Sequence, residues 1–238
     1  MHTTLRVLVT AFALALALAG FAGAADKGKK VDIFWQRPDL DSLRVKSLAF
    51  MPALSFDRDL QKEHEAEDAC AQVLRASPYR WLSPTSAQTL LKIKPAAESL
   101  WTAQRERVLR NGRLDSLAGP ALCTALRVNA VFTLRIDLME KVEPDWNEAG
   151  KPRTTVTCHA AVVDSAGRLL WTASGTETGE GQYHDPNAGV QSVQGSSLTS
   201  QPKTGQMGAP TYTEVAQRLF TRWQQQFPRP AGAPAPSQ

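Results

Sequence analysis

The segment Asn129-Ala-Val-Phe-Thr-Leu-Arg-Ile-Asp-Leu-Met-Glu-Lys-Val142 alternates apolar and polar side chains along most of its length. One set of alternate positions is apolar: Phe132, Leu134, Ile136 and Leu138. The intervening set is polar: Thr133, Arg135 and Asp137. Because successive side chains of an extended backbone point to opposite faces, this pattern predicts a β-strand with one buried face. The segment decides the fold class, and the rest of the chain is interpreted around it.

Two further segments with the same alternation follow, over 153–164 and 167–177. The residues Asp164-Ser-Ala-Gly167 that join them have the composition of a tight turn. A longer connection over 143–152 is rich in turn-forming residues. We therefore expect three strands, 129–142 and these two, to lie side by side as an antiparallel meander.

The first half of the chain has a different order of elements. Val45-Lys-Ser-Leu-Ala-Phe-Met-Pro-Ala-Leu54 is dense in apolar residues and is predicted to be a buried strand, with Pro52 ending its ladder pairing. Residues 60–76 have the apolar spacing of a helix, and 79–83 is a short aromatic strand between two prolines. A strand, a helix and a strand in this order indicate a βαβ unit.

The remaining helices complete the fold prediction. Helices are expected over 84–91 and 98–110, and a third follows Asp115 with one apolar stripe: Leu117, Ala121, Leu122, Ala125 and Leu126. A closing amphipathic helix is expected over 211–227. The fold class is α/β (α+β), with a single mixed sheet of about five strands.

The chain divides into segments of different composition. Residues 1–24 are predicted to be a signal peptide, 25–44 an extended lead-in, and 45–227 a single α/β domain. Residues 178–210 are rich in Gly, Ser, Gln and Pro, which predicts a long flexible loop inside that domain. The Pro/Ala-rich tail 228–238 is predicted to be disordered.

The amino terminus has the three parts of a secretory signal. A positive charge at Arg6 precedes a short apolar run, Val7–Phe21, and small residues then lead to Ala25. The first cysteine is Cys70, so no cysteine stands at the new terminus to carry a lipid. We expect a soluble periplasmic protein without a lipid anchor or stable membrane insertion.

The charge of the chain gives no argument for a nucleic-acid partner. The sequence has 27 basic and 23 acidic residues, and Arg6 leaves with the signal, so the mature protein has a formal charge of +3. The basic residues are spread along the chain rather than clustered in a patch.

Three cysteines, Cys70, Cys123 and Cys158, allow one disulfide with one free thiol, or no disulfide at all. Their spacing contains no zinc-type motif. We therefore predict no metal site built on cysteine, and the spacing does not choose among the pairings.

The sequence predicts no catalytic residue, no cofactor and no metal. Cys158 and His159 are adjacent on a strand, so their side chains point to opposite faces and cannot share a site. His64 and His184 are expected in solvent, and the carboxylates of 57–68 are expected on a solvated helix face. The candidates for partner binding are aromatic residues in polar segments: Trp35, Trp146 and Tyr183. Packing of a half-buried loop explains such aromatic residues as well.

Three short motifs resemble a group of bacterial envelope proteins. They are Leu48-Ala-Phe-Met-Pro52, Leu126-Arg-Val-Asn-Ala-Val-Phe132 and Val162-Val-Asp-Ser-Ala-Gly-Arg-Leu-Leu-Trp-Thr-Ala-Ser-Gly175. The group includes the periplasmic domain of CsgG, the amino-terminal domain of TolB, and LpoB. The resemblance implies a non-catalytic part in binding or assembly. This chain departs from many members by lacking a lipid-bearing cysteine, which argues against anchoring to the outer membrane.

The expected function is therefore a periplasmic, non-catalytic binding or assembly component of the cell envelope that acts through protein contacts. Its partner would be an envelope protein. The sequence identifies neither this partner or a ligand nor the oligomeric state. The alternative is a small periplasmic hydrolase or carbohydrate-modifying enzyme with an unrecognised site. A polar cluster at one end of the sheet would favour the enzyme, and an exposed apolar patch would favour the binding protein.

Limited proteolysis tests the predicted loop. Because 178–210 offers few large apolar side chains to bury, it cannot offset an ordering cost of about 1–2 kcal/mol per backbone residue. We expect the first cuts to fall between 180 and 210 while the rest of the domain stays folded, as read by mass spectrometry. A Gly/Ser linker in place of the loop should leave the Tm nearly unchanged, and a large drop would contradict the prediction.

Overall fold

A computed structural model of the protein describes residues 32–40, 43, 45–145, 148–183 and 208–227. The predicted signal peptide and the tail 228–238 lie outside the described residues, as do Trp146, His184 and most of the predicted loop.

The described residues form seven strands of one sheet and five helices. The strands are β1 (Ile33–Gln36), β2 (Ser47–Phe50), β3 (Leu54–Ser55), β4 (Arg80–Leu82), β5 (Ala130–Val142), β6 (Arg153–Asp164) and β7 (Leu169–Glu180). The helices are α1 (Leu60–Leu74), α2 (Pro84–Ile93), α3 (Pro95–Asn111), α4 (Ala118–Leu126) and α5 (Tyr212–Gln225).

Local signals in the sequence set several helix ends. The Asp59 side chain accepts hydrogen bonds from two backbone N–H groups in the first turn of α1. Thr211 and Glu214 form a capping box at the start of α5. Gly112 ends α3 in the left-handed region, with φ of 71°.

The three long strands form the predicted antiparallel meander. Phe132 of β5 lies opposite Val162 of β6, and Val162 lies opposite Trp171 of β7. Strand β2 runs parallel to both β5 and β4, so β2, α1 and β4 form the predicted βαβ unit. The strand order is β1-β7-β6-β5-β2-β4, and β3 pairs with β5.

The sheet has seven strands rather than the predicted five or so, because the sequence did not predict the short strands β1 and β3. β1 arises in the segment expected to be only an extended lead-in, and it pairs antiparallel with β7 so that Trp35 lies opposite Thr172. A four-residue strand is too short to show a periodicity. β3 follows Pro52 and pairs with β5 further along than β2 does. The proline ends one short strand and a second begins after it.

The predicted loop start at Thr178 is wrong, because β7 continues to Glu180. Within this extension Thr178 pairs with Thr155, and the two hydroxyl groups lie 3.3 Å apart. Cross-strand pairing therefore keeps a polar stretch in the sheet that its composition alone did not predict.

One face of the sheet is covered by α1 and α5. Its core is aromatic: the Phe227 ring lies 4.9 Å from Trp171 and 6.1 Å from Phe132. The indole N–H of Trp171 donates to the backbone oxygen of Gln226 at 3.0 Å. Helices α2, α3 and α4 form a second core on the other face, against Ala49, Met51, Val131 and Val163.

The predicted position of Leu138 on the aromatic-core face is wrong. A bulge between Ile136 and Leu138 inserts Asp137 and shifts the alternation of β5 by one residue. Met139 is then buried opposite Val156, and Leu138 is turned to the other face. A β-bulge moves every later side chain of its strand to the opposite face.

Two further details of the sequence prediction need correction. Leu117, expected in the apolar stripe of α4, precedes the helix and is 86% exposed. The carboxylates of Glu63 and Glu67, expected in solvent, accept hydrogen bonds from the backbone N–H groups of Ser55 and Ala53, each at 2.8 Å. Both glutamates thereby hold the connection between β2 and β3 against α1.

The cysteines and the helices settle two further points. All three cysteines are free and buried, so none of the disulfide pairings that the sequence left open is formed. None of the described helices combines the length and apolar character needed to cross a bilayer.

Removing the Phe227 side chain should destabilise the protein strongly. Phe227→Ala leaves a cavity among the aromatic rings, and we expect a loss of about 3–5 kcal/mol in the free energy of unfolding, measured by guanidinium titration. Leu117→Ala, at an exposed position, should change it by no more than about 0.5 kcal/mol. A similar small effect for both variants would contradict the central place of Phe227 in the core.

Candidate functional site

The face of the sheet opposite α1 and α5 is only partly covered. Helices α2, α3 and α4 contact mainly β2, β3 and β5, with α4 also reaching the end of β6. This layer of helices ends near His159. Gly112, at the end of α3, lies so close to His159 that a Cβ atom on Gly112 would be 2.4 Å from the imidazole Cδ2. Beyond that border the alternate side chains of β5, β6, β7 and β1 are half-buried or exposed. We call this region, from Arg135 and His159 outward, the open face.

Most of the large apolar side chains that are exposed in the described residues lie on the open face. They are Ile33 (68% exposed), Trp35 (43%), Phe56 (58%), Leu138 (44%) and Val142 (37%). Ile33 and Trp35 belong to the edge strand β1, whereas Leu138 and Val142 belong to β5. Apolar side chains therefore flank the open face on both sides, and exposed apolar groups gathered on one surface are a feature of interaction sites.

Hydroxyl groups fill the strip between these apolar borders. The hydroxyl oxygens of Thr157 and Thr176 lie 2.9 Å apart across the β6–β7 pair, and Thr155 and Thr178 form the next pair along. Ser174 follows on β7, opposite His159. Because each pair of threonines shares one hydrogen bond, a partner that covers them leaves few polar groups to be satisfied.

One ion pair lies at the border of the open face. The Arg135 guanidinium Nε and the Asp137 carboxylate are 2.6 Å apart, and a second guanidinium nitrogen donates to the Leu109 carbonyl at 2.9 Å. The Arg135 guanidinium also lies 5.6 Å from the Phe56 ring centroid. The pair is neutral and tied to the end of α3, so it adds no net charge to the face.

His159 sits between this ion pair and the end of α3. Burial lowers the pKa of His159, the positive charge of Arg135 lowers it further, and Asp137 acts in the opposite direction. The neutral imidazole is therefore the favoured form at neutral pH, and His159 contributes surface rather than charge to the open face.

A charged cluster on the other face holds β1 in place. Arg222 of α5 binds both carboxylate oxygens of Asp32, at 2.8 and 3.0 Å, and also forms an ion pair with Glu177 of β7. The two carboxylate side chains are each 8% exposed. A Cβ at Gly175 would lie 2.1 Å from the Asp32 carboxylate, so this position must stay free of a side chain. The edge strand is thus fixed through helix α5.

A small polar cavity of about 330 Å³ lies on another part of the surface. Arg107, Arg113 and Ser116 line it, together with residues of the β6–β7 turn. Arg107 forms an ion pair with Asp115, which also lines the cavity. None of the partner-binding residues predicted from the sequence lines this cavity.

The structure places the predicted partner-binding residues as follows. Trp35 lies on the open face, opposite Thr172. Tyr183 is 60% exposed and follows the end of β7. Since Thr172 and Glu180 are eight residues apart along β7, about 27 Å, Trp35 and Tyr183 are not brought together. Trp146 lies outside the described residues.

Sequence reasoning missed the other apolar members of the open face. Leu138 and Val142 were hidden by the bulge, and Ile33 by the shortness of β1. One signal was available: the adjacent apolar residues Leu138 and Met139 break the alternation, and such a break is typical of a bulge. No comparable signal in the sequence marks Phe56.

The described residues contain no group of three His, Cys, Asp or Glu side chains placed to hold a metal ion. Burial raises the pKa of Cys123 to about 12 and raises the pKa values of Cys70 and Cys158 as well. Such thiols react slowly at neutral pH because the thiolate is scarce.

No family model and no curated protein matches the sequence significantly. Among solved structures, the chain is similar to a singly substituted PelC dodecamer from Paraburkholderia phytofirmans, with 17% identity and a TM-score of 0.42 over 81% of this chain and 94% of that one. It is also similar to the lipoprotein GNA1162 from Neisseria meningitidis, with 18% identity and a TM-score of 0.37 over 57% and 83% of the two chains. The resemblance to the group containing CsgG, TolB and LpoB stays a prediction.

The lowered pKa of His159 makes stability depend on pH with a defined sign. The unfolded chain binds a proton near pH 6.5, and the folded state binds it only at lower pH, so the free energy of unfolding should fall as the pH falls through about 6.5. His159→Asn should reduce this decline, measured by denaturant titration at several pH values. His64→Asn, at an exposed position on α1, is the control and should leave the decline in place. An equal slope in wild type and His159→Asn would contradict the prediction.

Proposed function

We propose that this protein is a non-catalytic binding or assembly component of the bacterial cell envelope, exported to the periplasm and acting through protein contacts at the open face. The observation that carries the proposal is the grouping of exposed apolar side chains on the part of the sheet that the described helices leave uncovered. The signal-like composition of residues 1–24 supports the location.

The chemistry of the open face favours a protein partner. Its paired threonine hydroxyls and the neutral Arg135–Asp137 ion pair need few new hydrogen bonds when water is excluded. The apolar borders at Trp35 and Leu138 then supply the favourable burial. A partner with a polar centre and an apolar rim of its own would fit this distribution.

The size of the open face limits the strength of the contact. From β3 to β1 it spans four strand spacings, about 19 Å, and from Thr172 to Thr178 it extends about 20 Å along β7. The resulting area of about 400 Å² is half of the roughly 800 Å² that each partner contributes to a standard interface. We therefore expect a weak contact, or one that continues onto a neighbouring surface.

The enzymatic alternative would use the cavity beside Arg107. In that cavity the Asp115 carboxylate is paired with Arg107, and the Ser116 hydroxyl lies 3.4 Å from an Asp115 oxygen. The serine lies beyond the reach of about 2.6–3.2 Å between a nucleophile and its base, and the Asp115 carboxylate is paired with Arg107 instead. The proposal accordingly assigns no catalytic role to any residue.

Site-specific photo-crosslinking in living cells tests the proposal. A photoreactive amino acid is placed at Leu138 or Val142 on the open face, and at Leu117 or Ile93 as controls that are more exposed but lie on the helical side. We expect envelope-protein adducts from the open-face positions and at most a trace from the controls, read by blotting and mass spectrometry.

Adducts of equal yield at all four positions would contradict a specific contact at the open face. The absence of adducts at both Leu138 and Val142 would contradict the proposal as well. The amount and the export of each of the four variants are measured in the same samples, so that differences in adduct yield are compared at known protein levels.

A further inference from the structure

Strand β1 forms one edge of the sheet in the described residues and is unusually apolar for an edge. Its sequence, Ile-Phe-Trp-Gln, carries neither the lysine nor the proline with which natural edge strands commonly block pairing. Ile33 and Trp35 are exposed on the open face, and Phe34 packs against the aromatic core on the other side. Such an edge is a template for a further strand.

The hydrogen bond beyond the end of β1 shows which backbone groups are directed outward. The Arg37 N–H donates to the Leu170 carbonyl of β7 at 2.9 Å. Because hydrogen bonding alternates along an antiparallel pair, the backbone groups of Trp35 and Ile33 are also directed at β7. Those of Phe34 and Gln36 are therefore directed away from the sheet.

This arrangement is self-complementary. Two β1 strands can pair antiparallel about a two-fold axis that passes through Trp35. Phe34 of one copy then lies opposite Gln36 of the other, and the outward N–H of each residue donates to the outward C=O of its partner. Trp35 then faces Trp35 of the second copy in a non-hydrogen-bonded pair, where the Cα atoms are about 4.5 Å apart. Both indoles lie on the open face, and aromatic cross-strand pairs are favourable.

The charges near β1 do not oppose this pairing. The strand itself carries no charged residue. Asp32 is held by Arg222, and Arg37 lies 2.5 Å from an Asp39 carboxylate oxygen. In the two-fold register Ile33 meets Arg37, so no like charges face each other.

We propose that two copies of this chain pair through their β1 edges about a two-fold axis at Trp35, joining their sheets and their open faces. This inference goes beyond the proposed function, because it concerns the strand edge and a second copy rather than an envelope partner. Since β1 has only four residues, the contact is weak and requires trapping.

A disulfide formed in the purified protein alone tests the register. Trp35→Cys places two cysteines across the two-fold axis at a distance that a disulfide spans. Ile33→Cys is the matched control on the same strand and face, because its copies would be offset by four residues, about 13 Å. The native cysteines are buried and stay out of the reaction. Under mild oxidation we expect at least about tenfold more reducible dimer from Trp35→Cys than from Ile33→Cys.

A proline at Gln36 provides a second test. Gln36→Pro removes an outward N–H that β1 does not use towards β7, so the monomer should stay folded. Added to Trp35→Cys, it should reduce the dimer yield about tenfold, while circular dichroism and the Tm remain close to those of the parent.

Three results would overturn the inference: no dimer from Trp35→Cys, equal dimer from the two cysteine variants, or a dimer that Gln36→Pro does not reduce. Crosslinking of Trp35→Cys to a different envelope protein in cells, with no dimer in the purified protein, would also overturn it. None of these results affects the crosslinks from Leu138 and Val142, so the failure of one proposal is distinguishable from the failure of the other.

Discussion

The contacts of the Phe227 ring are the constraint on which the rest of the structure depends. This ring, just past the end of α5, lies against Trp171 of β7, Phe132 of β5 and Trp81 of β4. It therefore joins strands from both halves of the chain to one helix. Because α5 is held there, its Arg222 reaches Asp32 and Glu177, and the edge strand β1 is fixed as well. Helix α5, which completes the aromatic core, therefore also holds the strand at the edge of the sheet.

The packing of α5 on one side makes the two faces of the sheet different. Large aromatic side chains fill the side of α1 and α5, whereas α2, α3 and α4 cover part of the other side and stop near His159. The uncovered remainder is polar in its centre and apolar at its borders. Its threonine hydroxyls hydrogen-bond in pairs across β6 and β7, so covering the face removes few hydrogen bonds to water. The same surface suits the free protein and a complex.

The long strands and the two helices of the aromatic face were predictable, because periodicity is strong over twelve or more residues. Strands β1 and β3 were not predicted, since they have four and two residues and exist only through pairing with distant strands. Glu63 was assigned to solvent because its neighbours are charged, but its burial depends on a backbone N–H that only the folded chain brings near. For the candidate site, the sequence indicated Trp35 but not its apolar companions. Which half of a sheet a helical layer covers depends on tertiary packing, and no local pattern encodes it.

The position of β1 beside β7 affects the order in which the protein can fold. Ile33 pairs with Ser174, so a strand near the start of the chain finds its neighbour only after nearly all of the sheet has been synthesised. Contacts between residues so far apart in sequence form late, because a long loop must close first. Until then the outer edge of β7 stays unpaired, and the apolar residues of β1 have no sheet to join. The sheet is therefore completed by the first strand to be made, and the newly made chain passes through a stage in which both surfaces are open to unintended pairing.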